Sequence, residues 1–210
     1  MTYQVKIQLR GITKPPVWRR LLVPADCTFH NLHHVIQMSF GWFNMHLYKF
    51  MKKPYDGGWT IKELDDEDYL NDFSEFFPDR PKPIDSKSIT IGEFLKENPI
   101  DKFTYIYDFG DDWIHDITIE GETEDILIHP RCTAGKGACP PEDCGGMWGY
   151  ENMKCVLLEA PRSEDARMYR KWLGLGRGKK FDPNLFDLDD ANRRIVEMIE
   201  YIREDSNQNT

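Results

Sequence analysis

The residues of this chain best able to do chemistry crowd around one predicted hairpin, Phe103 to Glu120, which reads FTYIYDFGDDWIHDITIE. Asp108, Asp111 and Asp112 surround its turn, and Trp113 and His115 open the run that follows. Carboxylate oxygens suit magnesium or manganese, and a nearby imidazole can act as a general base. The group is therefore a candidate divalent-metal or catalytic site. The competing explanation is structural: aspartate beside glycine is ordinary turn chemistry, and His115 falls on the apolar side of its run, where a satisfied core histidine is common. Two more segments hold polar residues fixed by Gly, Pro or aromatic neighbours, Trp42–His46 and Pro140–Gly146. Convergence of both on the hairpin turn is expected to join His46, Glu142 and Asp143 to the site.

The cysteines are a second candidate. Cys132, Cys139 and Cys144 are spaced C-x6-C-x4-C, with His129 three residues ahead of the first. Zinc takes tetrahedral sulfur and nitrogen ligands, so these residues are nominated as zinc ligands, and zinc as the candidate cofactor. The two-residue spacing of a zinc knuckle is absent, and the plain alternative is reduced thiols packed as small apolar groups. Cys27 and Cys155 read as buried and inert. His30 and His34 lie four apart on a predicted helix and could reach one metal, but without an HExxH pattern they read as a polar helix face. The basic groups Trp18-Arg19-Arg20 and Arg177 to Lys180 read as solvated surface that could touch phosphates.

These residues need a scaffold, and the periodicity supplies one. Tyr3, Val5, Ile7 and Leu9 alternate with polar residues as a half-buried strand does, and Val17 to Val23 forms its hairpin partner. Thr28 is placed to cap a helix in which Phe29, Leu32, Ile36 and Phe40 recur at helical spacing, with Gly41 as its C-cap. Aromatic residues from Trp42 to Phe50 return the chain to extended structure. Aromatic and β-branched runs on both sides of Gly110 predict the hairpin itself. Ile89 to Leu95 reads as a short strand leading into a helical turn. Helices are expected over Glu151–Glu159, over Ser163–Leu173, and from Leu188 with Asp187 as cap. The prediction is one α+β domain over 1–210, with a mixed, mainly antiparallel sheet. Its parts are a β-β-α-β unit resembling a β-grasp opening (1–51), a surface excursion (52–88), the central hairpin region (89–128), a Cys/Pro/Gly loop (129–150) and C-terminal helices (151–204). Phe73, Phe76 and Phe77 mark the excursion as a candidate lid or partner-binding loop.

Composition narrows the function classes. A hydrophobic fraction of 40% with 30% charged residues fits a globular, soluble chain. The net charge of -9 opposes generic binding to a phosphate backbone, so a protein partner is favoured over nucleic acid. No apolar run approaches bilayer-spanning length, and the polar MTYQVKIQLR start is unlike a secretory signal, so a cytoplasmic location is expected. Five cysteines do not form a disulfide framework under those conditions. Oligomeric state is not encoded legibly.

Several segments together carry a family pattern. PPVWRRLLVPADCTFHNLHHVIQMSFGW with its trailing HLYKF, YDFGDDWIH, ACPPEDCGGMWGY and FDPNLFDLDDAN occur in that order and nearly span the chain. The chain resembles the Ri-plasmid ORF-three-like family, also labelled insertion-element passenger or TnpR-like proteins. The resemblance implies a single α+β domain of uncharacterised biochemistry, in plasmid, mobile-element or chromosomal contexts. The TnpR label suggests a serine resolvase, but the sequence has neither an arginine-rich catalytic serine segment nor a recognition helix. The leading reading is a non-enzymatic binding or scaffold module. Its rivals are a metal-dependent hydrolase or nuclease using the hairpin acids with His115, and a zinc-stabilised protein partner of a nucleic-acid enzyme.

Overall fold

The computed structural model describes residues 1–64 and 81–208, the last of these, 205–208, by backbone alone. The segment holding Phe73, Phe76 and Phe77 lies outside the described residues. The chain opens with β1 (Thr2–Thr13) and β2 (Pro16–Pro24), then α1 (Phe29–Phe40), β3 (Tyr48–Met51), β4 (Thr60–Lys62), β5 (Ile84–Asp85) and α2 (Ile91–Glu97). The hairpin β6 (Lys102–Tyr107) and β7 (Trp113–Thr123) follows, then β8 (Arg131–Lys136), α3 (Gly146–Glu159), α4 (Glu164–Trp172) and α5 (Leu188–Gln208). All the strands among the described residues join one sheet in the order β5-β4-β3-β6-β7-β1-β2-β8. Every neighbouring pair is antiparallel except β4 with β5. The fold is a single α+β domain.

Alternation decides which side of the sheet is buried. Val5, Ile7 and Leu9 of β1 stand opposite Ile119, Ile117 and His115 of β7, and this row faces the core. Phe29, Leu32, Ile36 and Phe40 of α1 close over it, as a stripe recurring every three to four residues must. Thr28 Oγ1 accepts the Asn31 amide at 3.1 Å, and Gly41 ends the helix at φ 94°, a conformation that glycine adopts without a Cβ clash. The opposite face of the sheet stays polar, with Arg20 and Gln4 both bonded to Glu120. On the helical side α5 packs against α1 and β8, and α4 packs against α3.

Four local expectations are corrected. The excursion 52–88 contributes two short strands, β4 paired with β3 and β5 paired with β4 at the sheet edge. The loop predicted over 129–150 holds β8 and the first turn of α3, because β2 offers Arg131–Lys136 a free edge despite its glycine. Ile89–Leu95 is no strand; Thr90 and Glu93 form a capping box and α2 starts at Ile91. Cys27 is buried as expected, but Cys155 is exposed.

Arg19 departs furthest from expectation. It points into the core at 2% exposure, where its guanidinium donates to the carbonyls of Ser39 (2.9 Å), Trp18 (2.8 Å), Lys136 (3.0 Å) and Gly137 (3.1 Å). Its plane lies between Phe40 and Phe186 at 4.8 and 4.3 Å. Arg19 thus ties β2, β8 and α1 together and is closed to phosphates. Arg19→Met would leave these carbonyls without a donor. It should cost on the order of 3 kcal/mol, read as a lowered urea midpoint at unchanged m-value.

Candidate functional site

The site begins where β6 ends. Asp108 turns the chain with φ 55°, and its Oδ1 accepts the amides of Gly110 (2.9 Å) and Asp111 (3.2 Å) while its carbonyl accepts the Asp112 amide (2.7 Å). Asp108 therefore organises the turn with one carboxylate oxygen. Its other oxygen, Oδ2, lies 3.6 Å from His46 Nε2.

His46 is delivered by the segment between α1 and β3. The buried Trp42 indole donates to the Pro140 carbonyl at 2.8 Å, which joins this segment to the Pro140–Gly146 loop. Asn44, at φ 55°, is held from inside the core: its amide donates to Gln37 Oε1 at 3.1 Å, and its Oδ1 meets His33 Nε2 at 2.7 Å. The Tyr105 hydroxyl in turn meets His33 Nδ1 at 2.8 Å and accepts from Gln37 at 3.0 Å. Burial holds the His33 pKa well below its usual value, so the ring is neutral and acts as a hydrogen-bonding strut.

Glu142 comes from the third segment. Its carboxylate accepts the Phe43 amide at 2.8 Å and the Tyr107 hydroxyl, 3.0 Å from both oxygens. Burial, and then the Glu142 charge, raise the Tyr107 pKa, so this hydroxyl keeps its proton and donates it. Asp143, at φ 56° and 72% side-chain exposure, completes the group. His46 Nε2 is thus 3.0 Å from Asp143, 3.6 Å from Glu142 and 3.6 Å from Asp108. That nitrogen is shielded from solvent, and its approach to each carboxylate lies outside hydrogen-bond geometry. Among the described residues, His46, Asp108 and Asp143 are the one set of three or more His, Cys, Asp or Glu whose ligand atoms all lie within 4.8 Å.

Glycines make the third segment fit. Gly146 adopts φ 64°, and a Cβ there would stand 2.5 Å from the Asp111 carbonyl oxygen. A Cβ on Gly149 would fall 1.8 Å from the Cys144 carbonyl oxygen. Gly146→Ala should therefore cost on the order of 2 kcal/mol and detach Asp143 from His46, seen as a lower melting temperature and loss of exchange protection at the Gly145 amide.

The remaining nominated residues go elsewhere. Asp111 Oδ2 accepts the Gly145 amide at 3.0 Å, and Asp112 takes the Tyr55 hydroxyl, so both brace the rim. Trp113 is buried against Trp42, at a centroid separation of 5.9 Å. On this side of the turn an open cleft of about 650 Å³ is lined by Arg10, Asp111, Trp113, Met147 and Trp148, among others. His115 is a core residue: it is fully buried with its ring edge-on to Phe40 and Trp42, and its Nδ1 is 3.0 Å from the Trp113 carbonyl. Burial lowers its pKa to about 3, and its side chain is closed to solvent, so it cannot serve as a base for the hairpin acids.

The zinc nomination is also corrected. Cys132 sits in β8 with its thiol toward the Ala134 carbonyl, Cys144 turns toward the Gly146 carbonyl, and His129 meets Arg203 at 2.9 Å. With Cys139, they form no set of ligand atoms close enough to share an ion. Burial raises the Cys132 and Cys139 thiols and takes Cys144 to about 12. The residues that sequence reasoning missed are Tyr107 and the His33–Gln37–Asn44–Tyr105 network. A signal did exist for part of it: His33 and Gln37 are four apart and border the apolar stripe of α1.

The family model described as plasmid pRiA4b ORF-3-like protein matches residues 1–190. An uncharacterized protein, y4hQ, of Sinorhizobium fredii is 33% identical over 172 residues, covering 81% of this chain and 80% of the relative. The crystal structure of MM3350, a protein of unknown function from Methanosarcina mazei Go1, is similar at a TM-score of 0.69 and 34% identity, covering 90% of this chain and 95% of that one. No helix among the described residues is long and apolar enough to cross a membrane. The chain belongs to the plasmid pRiA4b ORF-3-like family.

Proposed function

We propose that the protein is a binding module that holds a divalent cation with His46, Asp108 and Asp143, with Glu142 beside it, and presents that ion to a partner protein. The observation that carries this reading is the shielded His46 Nε2, which faces carboxylates at 3.0–3.6 Å and hydrogen-bonds to none of them. Ligand atoms about 2.0–2.2 Å from a common ion stand roughly 3.0–3.5 Å apart, close to the distances from His46 Nε2 to its carboxylates. One imidazole and several carboxylates favour manganese or zinc over calcium.

The partner half of the reading rests on the rim. Phe43, Met45 and Leu47 are 78, 72 and 72% exposed on the segment that carries His46, and Phe109 is 45% exposed next to Asp108. Exposed apolar side chains around a polar centre fit a protein-binding surface, and the charge of -9 favours a partner with a basic face. Saturating manganese or zinc, at about 100 times its Kd, should stabilise the protein by roughly 2.7 kcal/mol and raise its melting temperature by several degrees. His46→Ala should abolish the rise with manganese. A parent protein indifferent to both ions would refute the cation, and a partner bound equally well by Phe43→Ser/Leu47→Ser would refute the docking surface.

A further inference from the structure

His30 and His34 lie one turn apart on a half-buried edge of α1, away from the cluster around His46. Their Nε2 atoms face each other at 3.1 Å, with the rings nearly perpendicular at 84°. Only one proton can stand between two such nitrogens. Burial lowers the His30 pKa and takes that of His34 to about 4, with the His30 charge adding to the second shift.

The far side of His30 is arranged to support ligation. Its Nδ1 is 3.2 Å from the Tyr48 hydroxyl, which is 2.8 Å from Ser86 Oγ, and Glu63 stands 3.8 Å from the same Nδ1. Glu63 also pairs with Lys87 at 2.5 Å. A hydroxyl and a carboxylate at Nδ1 favour the tautomer that carries its proton there and leaves Nε2 bare, the arrangement that backs metal-binding histidines. His33, between the two, has both ring nitrogens engaged and is no ligand.

From this juxtaposition we infer that His30 and His34 form a two-histidine chelate for a borderline or soft-accepting divalent ion such as nickel, copper or zinc. Two nitrogens about 2.0–2.1 Å from one ion and separated as these are subtend roughly 95–100°, close to adjacent positions of a square-planar or octahedral shell. Water would supply the remaining ligands. Magnesium and manganese, which prefer oxygen ligands, gain little here. The site is independent of the cation at His46.

The test uses the full chain in the His46→Ala background, so that failure of one site is not mistaken for failure of the other. Nickel titrated by calorimetry should bind about ten-fold or more tightly than manganese, and His34→Gln should weaken nickel by about ten-fold or more. Copper bound to the same background protein should show two imidazole nitrogens in its EPR spectrum, falling to one in His34→Gln. Nickel affinity unchanged by His34→Gln would overturn the proposal. If that variant does not fold, the copper spectrum of the His46→Ala protein decides: two nitrogens support the chelate, and fewer refute it.

Discussion

Between pH 7.5 and pH 5 the protein is expected to lose about 2 kcal/mol of stability through His115 alone. The folded ring has its pKa lowered to about 3, first by burial, with the Trp113 carbonyl opposing, whereas the unfolded ring titrates near the ordinary 6.5. Between those values only the unfolded chain takes up the proton. The contribution is therefore whole above the unfolded pKa and is lost progressively as pH falls toward the folded one, reaching roughly 4–5 kcal/mol near pH 3. His33, buried and held well below its usual pKa, and His34, lowered to about 4, push the same way. His115→Leu removes the titrating group from its place between Phe40, Trp42 and Tyr105. Urea unfolding at both pH values should show the parent's loss reduced by about 2 kcal/mol in the variant. An identical pH dependence in the two proteins would mean that the folded ring can take a proton, contrary to its burial.

The second large effect concerns Asp108, whose carboxylate has two separable duties. Oδ1 holds the Gly110 and Asp111 amides, and Oδ2 faces His46. Asparagine keeps an acceptor for the turn but discards the charge. Asp108→Asn should fold with unchanged or slightly higher stability without cation, because repulsion from Glu142 and Asp143 falls. Manganese affinity should drop on the order of 100-fold. Asp108→Ala removes the acceptor as well and should add a folding loss of about 1–3 kcal/mol. Calorimetric titration alongside thermal melts separates the two outcomes. A single loss shared equally by Asn and Ala would make Asp108 a turn residue and nothing more.

The sequence was legible where local pattern and tertiary demand coincide. The alternation of Tyr3 to Leu9, the Thr28 and Gly41 caps and the Gly110 hairpin each announce the element they form, and the three segments of the site were recognisable from their fixed turns. What could not be read depends on which neighbour occupies a face. Arg19 looks like surface until Phe40, Phe186 and a set of carbonyls close around it. β4, β5 and β8 exist because an adjacent strand offers an edge, and their own residues favour loops. His115 and His46 show the same limit within the site. Both lie a few residues past an aromatic side chain, yet alternation carries His115 into the core while Asn44, held at its side chain by His33 and at its backbone amide by Gln37, turns His46 toward the acids.

A cation held by His46 among Asp108, Glu142 and Asp143 should be directly visible in manganese bound to the intact protein. Pulsed EPR of that complex should show coupling to a single imidazole nitrogen and one ion per chain, with both lost in His46→Ala. Bound manganese without nitrogen coupling, or with coupling that survives in His46→Ala, would mean that His46 holds no cation.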